Sequence, residues 1–475
     1  MSTSPRPSGR EPSPTGRLSV GVVHLAFEGI QVFYGGIGTV IRGQISTLPA
    51  VASALADHGV DLVPHFVELA YGPDHPRYDP VAAAEWSGRI TAAGGTFHRV
   101  PNYTTGREAR GSWGVPPLGD YHNWQVSSAA AAGVLLDLAA RHDVTVAFCH
   151  ETPFVLTPVY SLLQAEAAGV NLTAVYVAHS SALLHELPLP NPERLMAESL
   201  AVHWPKVCGR ARVGVISDYM GAHLRAEYGA RDDTLTPVGN GVDPADPWYG
   251  RRPEGRLREV LARHGVPLDR DLVVTFGRAV PYKRHDLLLR AAALLDGRVH
   301  AVAMSHPDNS ALTALAERTG VPCTLPVSHD RELMASLLQW PRTRACVLSA
   351  ENEPCGIIPM EARLLARDAG ALLVVSDSGG FVEQVCDGVD AFVHRSGDAE
   401  HLADVLRAVL ALPAKDAAEI RRRGTERVLE NHLWPAQIVR SLAAVVPRIA
   451  TVADTLVDGL TARARTRLSA RSTTV

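Results

Sequence analysis

The chain has 475 residues, 46% of them hydrophobic and 20% charged, which is the make-up of a soluble globular protein with material for two buried cores. A net charge of −4 excludes the basic field that nucleic acid or an anionic membrane surface would require. The six cysteines (Cys149, Cys208, Cys323, Cys346, Cys355, Cys386) show neither CxxC pairs nor metal-ligand spacing, so reduced thiols in a cytoplasmic setting are expected, with no metal centre.

Residues 1–17, rich in Pro, Ser and Arg, read as a disordered lead without the apolar core of a secretory signal. No apolar run is long enough to cross a membrane; the best candidate, Ala129–Ala140, is broken by Asp137. LSVGVVHLAF, from Leu18, reads as a buried strand, and similar runs recur as VTVAFCH, LTAVYVAH and ARVGVIS, separated in part by helix-length segments such as 127–140. Strands apolar on both faces that alternate with helices predict a parallel α/β sheet covered on both sides. After the first strand comes YGGIGTVIRGQ, whose Gly35, Gly36 and Gly38 could bring exposed amides close to a ligand or simply make a tight turn. It lacks the spacing of a dinucleotide fingerprint. Two histidines end strands, His150 in FCHETP and His179 in YVAHSS. Each could face a sugar hydroxyl or be satisfied by nearby backbone.

The pattern restarts beyond a Pro/Gly/Asp-rich stretch at 240–250, with DLVVTFG, RVHAVAMS, RACVLS and ALLVVS as strands and 283–295 and 359–369 as helices. The expected organisation is a first domain over residues 18–240, a second over 241–430, a helix over 431–450 that returns to the first domain, and a flexible tail over 451–475. In the second half, FGRAVPYKRHDLLLRAA places Arg278 and Lys283 after a strand end, where ligands bind in open α/β sheets. A guanidinium fork and a mobile ammonium together suit a diphosphate, although two solvated loop cations would look the same. ENEPCGIIPMEA carries two carboxylates, Glu353 in a loop and Glu361 in a first helical turn. The amides of Gly356, Ile357 and Ile358, following Cys355, would point outward there and attract phosphate. Acids that merely complement the helix dipole are the alternative.

Together these stretches resemble the retaining GT-B glycosyltransferases, in particular the large family 4, also described as glycosyl transferases group 1. Glu353 and Glu361 match its E-x7-E motif, GRAVPYKRHDLLLRA its GR-x4-K signature, GNGVD its interdomain NGVD, SDSGGFVEQV its SD-x-GG loop, and YGGIGTVIRGQ its N-terminal Gly-rich loop. The likeness runs from about Leu18 to Val446. It implies two Rossmann-like, doubly wound domains facing across a cleft. It also implies a nucleotide diphosphate sugar, UDP- or GDP-linked, as donor, a small soluble acceptor, and no metal or other cofactor. Carried over, Arg278 and Lys283 would bind the donor diphosphate and Glu361 the ribose hydroxyls. Glu353 would lie near the transferred sugar, His179 beside the anomeric centre, and Gly36 would lend an amide to phosphate. Gly35, Gly36 and His150 would lie on the acceptor side. Two departures stand out: Cys355 where the family has an aromatic residue, and Arg284 where it has glycine. An epimerase or phosphorylase on the same fold, or a silent nucleotide-sugar-binding subunit, are the rival readings.

Overall fold

In the computed structural model of the protein, residues 16–102, 121–186 and 188–472 are described; most of the expected N-terminal lead lies outside them. The chain divides into two units, one of Met1–Gly241 with Trp434–Leu460, the other of Val242–Leu433 with Thr461–Val475.

The first unit is built on seven parallel strands: β1 (Leu18–Ala26), β2 (Val60–Leu69), β3 (Thr96–Val100), β4 (Val144–His150), β5 (Leu172–Ala178), β6 (Ala211–Val215) and β7 (Leu235–Pro237). Their order is β3-β2-β1-β4-β5-β6-β7. The chain turns one way from β1 to β2 and the other way to β4, so the switch point, where such sheets bind ligands, is at the carboxyl ends of β1 and β4. β2 was not legible as a strand, because Asp61, Pro64, His65 and Glu68 interrupt its apolar run. The second unit repeats the plan with β8 (Asp271–Arg278), β9 (Val299–His306), β10 (Cys323–Thr324), β11 (Thr343–Leu348), β12 (Leu372–Ser376) and β13 (Phe392–His394). They run parallel in the order β10-β9-β8-β11-β12-β13, with the switch between β8 and β11. On one face, Val273, Ala301, Ala345 and Val374 pack with Leu287, Leu288, Leu402 and Leu406 from flanking helices into a continuous buried core. Both units are therefore Rossmann-like, doubly wound α/β folds.

Helix Gly36–Ala56 lies beside helix Trp434–Ala443 of the same unit. Gly43 permits the approach, since a Cβ there would sit 2.4 Å from Trp434 Nε1. The sequence reading put a helix at 431–450; the first unit takes back Trp434–Leu460. The flexible tail expected over 451–475 is instead a helix, Ala453–Ser472. Leu456, Leu460 and Leu468 are buried, and Arg465 pairs with Glu426, so this segment has apolar surface to bury after all. Among the described residues no helix is long and apolar enough to cross a membrane.

Candidate functional site

In the second unit three loops meet at the carboxyl ends of β8, β11 and β12. β8 ends at Gly277, whose φ of 141° favours glycine, and Arg278. His285 fixes this strand end. Its Nε2 donates to the Arg278 carbonyl at 3.1 Å, which leaves Nδ1 to accept from the Thr275 hydroxyl at 3.1 Å. Burial holds that imidazole neutral, its pKa lowered to about 4. Residues Pro281–Lys283 form a 3-10 turn, and the expected helix begins only at His285 because Arg284 is left-handed, at φ 48°. That conformation explains the family's glycine. Here Arg284 uses its length instead, pairing with Asp286 and with Glu351 of the next loop.

The same junction aligns the motif charges. Lys283 Nζ lies 2.5 Å from Glu353 Oε2, with side chains only 17% and 10% exposed. Solvent-facing cations, the simplest sequence expectation for this loop, are thus corrected for Lys283. Burial opposes its charge, but the Glu353 carboxylate prevails and raises its pKa. Glu351 N donates to the Tyr282 carbonyl at 2.7 Å, and an Arg278 guanidinium nitrogen lies 3.4 Å from the Tyr282 hydroxyl.

The third loop, following β12, supports the second from behind. Gly379, at φ 63°, presses against Glu353: a Cβ would lie 2.3 Å from its carbonyl oxygen and 2.6 Å from its nitrogen. Gly380 N donates to the Glu353 carbonyl at 2.7 Å, and Ser378 Oγ accepts from Asn352 N at 2.8 Å. Gln384 donates to the carbonyls of Cys355 and Gly356. Cys355 is buried, its backbone held by this amide. Ser378 and Gly380 thus hold the ENEP backbone, and Gln384 holds the two residues that follow it.

Helix Ile358–Leu365 follows. Met360 and Glu361 donate back to the Ile357 carbonyl, so the amides of Gly356, Ile357 and Ile358 precede the helical ladder, as anion-binding amides must. Glu361 is 9% exposed, and burial pushes its carboxyl up to about 7, with Arg331 acting against the shift and Asp246 with it. Arg331 stacks on Trp248 at 3.8 Å. Arg331 and Asp246 were not singled out from the sequence, since local spacing does not reveal a charge brought in from a distant segment; His285 lies inside the motif, but its work on the strand end shows only in the fold.

In the first unit the Gly-rich turn is held by buried carboxylates. Glu28 accepts from the amides of Tyr34 and Gly35, the latter at 2.8 Å, and Glu68 accepts from the amides of Ile30 and Gln31 at 2.9 and 2.8 Å. The Gly35 amide, expected to face a ligand, is thus already engaged by Glu28. Gly38 is required for packing, since a Cβ would lie 2.7 Å from Glu28 Oε2. Gly36 opens helix Gly36–Ala56, and its amide remains a candidate. His150 is fully buried, with Nε2 3.0 Å from His24 Nδ1 and Nδ1 2.8 Å from His179 Nε2. A direct acceptor contact by His150 is therefore corrected: both of its nitrogens are occupied, and it stands behind His179. Next to His179, Ser180 is anchored by the buried Arg194, which also binds Glu151, Glu186 and Glu198 at 3.0, 2.9 and 2.7 Å.

Residues 258–427 match the family model of glycosyl transferases group 1, a span that contains all three loops of the second unit. Curated relatives include the D-inositol 3-phosphate glycosyltransferase of Mycolicibacterium paratuberculosis, 32% identical over 35% of this chain and 38% of that protein. The enzyme of the same name from Streptosporangium roseum is 26% identical over 53% of this chain and 59% of its own. The matches thus cover less than two thirds of these relatives. Among solved structures, HepE of Anabaena in complex with UDP and glucose aligns with a TM-score of 0.57 at 17% identity, covering 92% of this chain and 99% of that one. Sucrose-phosphate synthase of Thermosynechococcus elongatus aligns with a TM-score of 0.61 at 17% identity, over 92% and 99%. The group 1 match thus takes in all three motif loops of the second unit, and the chain shares the fold of these solved structures, two Rossmann-like units of the GT-B class.

Proposed function

We propose that this protein transfers a sugar from a nucleotide diphosphate sugar to a small soluble acceptor, in the cytoplasm and with retention of anomeric configuration. The observation that carries the reading is the convergence of Lys283, Glu353, Arg278 and the start of helix Ile358–Leu365 at one sheet switch point. As the anomeric bond breaks, negative charge grows on the leaving diphosphate, and fixed positive groups aimed at it lower the barrier. Lys283, Arg278 and the amides of Gly356, Ile357 and Ile358 supply that field in this reading, with no role left for a divalent metal. Glu361 takes the ribose hydroxyls, and Glu353 orients Lys283 beside the transferred sugar. His179 serves the anomeric centre, and the Gly36 amide a phosphate oxygen. Attack on the face the diphosphate leaves, with the diphosphate accepting the acceptor's proton, gives retention without a covalent intermediate.

HepE was solved with UDP and with UDP-glucose, which favours a uridine donor here. The curated relatives are named for an inositol phosphate acceptor, which favours a small polyol or sugar phosphate, a product class suited to specialised metabolism. The test is a thermal-shift panel of UDP, GDP and their sugars, followed by NMR of the product's anomeric configuration. A bound diphosphate nucleotide raises the melting midpoint by mass action. No shift with any nucleotide at millimolar concentration, or an inverted product, would overturn the reading.

A further inference from the structure

Five rings cross the carboxyl halves of β2, β1, β4 and β5. His24 on β1 pairs in register with Phe66 on β2 and Phe148 on β4. His150 lies two residues beyond Phe148 and His179 two beyond Val177, the register partner of His150, so strand alternation keeps these side chains on one face. The rings stack in sequence, His24 on Phe66 and Phe148 at 5.4 and 5.1 Å, His24 on His150 at 5.3 Å, and His150 on His179 at 5.1 Å. Two hydrogen bonds of 3.0 and 2.8 Å join the three imidazoles into one line. Burial depresses all three pKa values, to about 3 for His24 and about 4 for His179, so each ring is neutral at pH 7.

A neutral imidazole has one donor and one acceptor nitrogen, so the direction of one hydrogen bond fixes the other. The line can run only two ways. If it starts at His179, each ring donates through Nε2 and the chain ends in a buried N–H on His24 Nε2. That ring lies between Phe66 and Phe148, and the atom has no hydrogen-bond partner among the described residues. If it starts at His24, each ring donates through Nδ1, and His24 Nε2 is left as a bare lone pair. An orphaned donor is the arrangement buried structure tolerates least, so the second direction is favoured.

We propose that His24 and His150 are positioning residues that lock His179 as its Nδ1–H tautomer, with Nε2 held as acceptor and Nδ1–H presented as a donor. The inference rests on the role given to His179 above, and it adds why the imidazole has one fixed orientation and one fixed proton. It also explains a second histidine at a strand end that cannot itself reach a ligand. The line is a lock rather than a conduit, because its far end, His24 Nε2, meets no proton donor among the described residues.

Long-range 1H–15N correlation spectra of histidine-labelled, ligand-free protein test it directly. In the native chain, the protonated nitrogen of His179 should be Nδ1, the tautomer that free histidine disfavours. His150→Phe should return His179 to the Nε2–H form. His150→Asn, whose side-chain amide can still donate, should keep Nδ1–H. With substrate, His150→Phe should lower kcat roughly 10–100-fold, the range for losing the partner that orients a functional histidine, with donor KM little changed and His150→Asn recovering part of the loss. An Nε2–H His179 in the native chain, or an unchanged tautomer in His150→Phe, would overturn the lock. Normal turnover in His179→Ala would instead overturn its place at the anomeric centre while leaving the tautomer result to stand on its own.

Discussion

The buried ion pair between Lys283 and Glu353 makes the second unit's stability depend on a residue given a role in turnover. Replacing Lys283 with Met keeps most of the stem's packing but leaves a carboxylate 10% exposed without its cation. Breaking a fully buried pair by removing one partner costs about 3–5 kcal/mol, and an exposed pair is worth about 0–1. At 17% and 10% exposure this pair lies between, near 2 kcal/mol. For a unit of this size that is a midpoint lowered by roughly 4–8 °C. Glu353→Gln in the same background removes the stranded charge, so the double variant should regain a large share of the loss. The assay is a double-mutant cycle of denaturant unfolding, read beside kcat, which should fall about a hundredfold in Lys283→Met if the ammonium stabilises the leaving diphosphate. Additive stability losses, with a coupling energy near zero, would refute the pairing. A stability change without any change in kcat would refute the diphosphate role alone.

Glu361, with its carboxyl raised to about 7, should bind ribose hydroxyls as a carboxylate, so nucleotide Kd should rise about tenfold per pH unit below 7, flattening in Glu361→Gln, which serves as baseline for the phosphate's own titration. The same raised pKa means that Glu361 costs folding stability above pH 7 and that this cost is relieved as pH falls from 7 towards its unfolded value near 4.5, an effect lost in Glu361→Gln and visible in unfolding free energies. Transfer activity should survive EDTA, and a complete loss restored by Mg²⁺ or Mn²⁺ would show that the cations do not carry the leaving-group charge. Gly379→Ala should displace the Glu353 backbone, since its Cβ would meet backbone atoms at 2.3 and 2.6 Å, and lower kcat at least as much as it lowers the melting point suggests.

The second unit was more legible than the first because its chemistry is local in sequence. Arg278 and Lys283 follow one strand, and Glu353 and Glu361 bracket one helix start, so spacing showed where they stand in the fold, while the roles expected of them came from the family resemblance. Spacing could not show that Lys283 would reach Glu353, or that Arg331 would lie near Glu361, because those contacts join loops 30 to 70 residues apart. In the first unit the apolar strands were readable, but β2 was hidden by polar residues that its depth in the sheet satisfies by other means. Glu68 is an example: its buried carboxyl, raised to about 8, takes loop amides that the sequence leaves unassigned. His150 illustrates the limit on roles. A strand-end histidine has the same sequence signature whether it meets a ligand or another histidine, and only the register of β1, β4 and β5 decides which.

A cation meant for a diphosphate but already paired with a carboxylate raises a question of capacity, and the answer separates lysine from arginine. An ammonium has three donors, and one carboxylate oxygen at 2.5 Å occupies one of them. The other two can serve phosphate oxygens, so Glu353 can orient the charge without consuming it. A guanidinium would keep the charge but prefers a planar, bidentate match to a carboxylate, which would turn its fork towards Glu353. Lys283→Arg should therefore retain most of the native stability, because the pair survives, yet lose kcat towards the level of Lys283→Met. Stability and turnover, which fall together in the Met variant, should come apart in the Arg variant. Native turnover in Lys283→Arg would show that positive charge alone suffices at this position, and that the three-donor geometry of the ammonium contributes nothing.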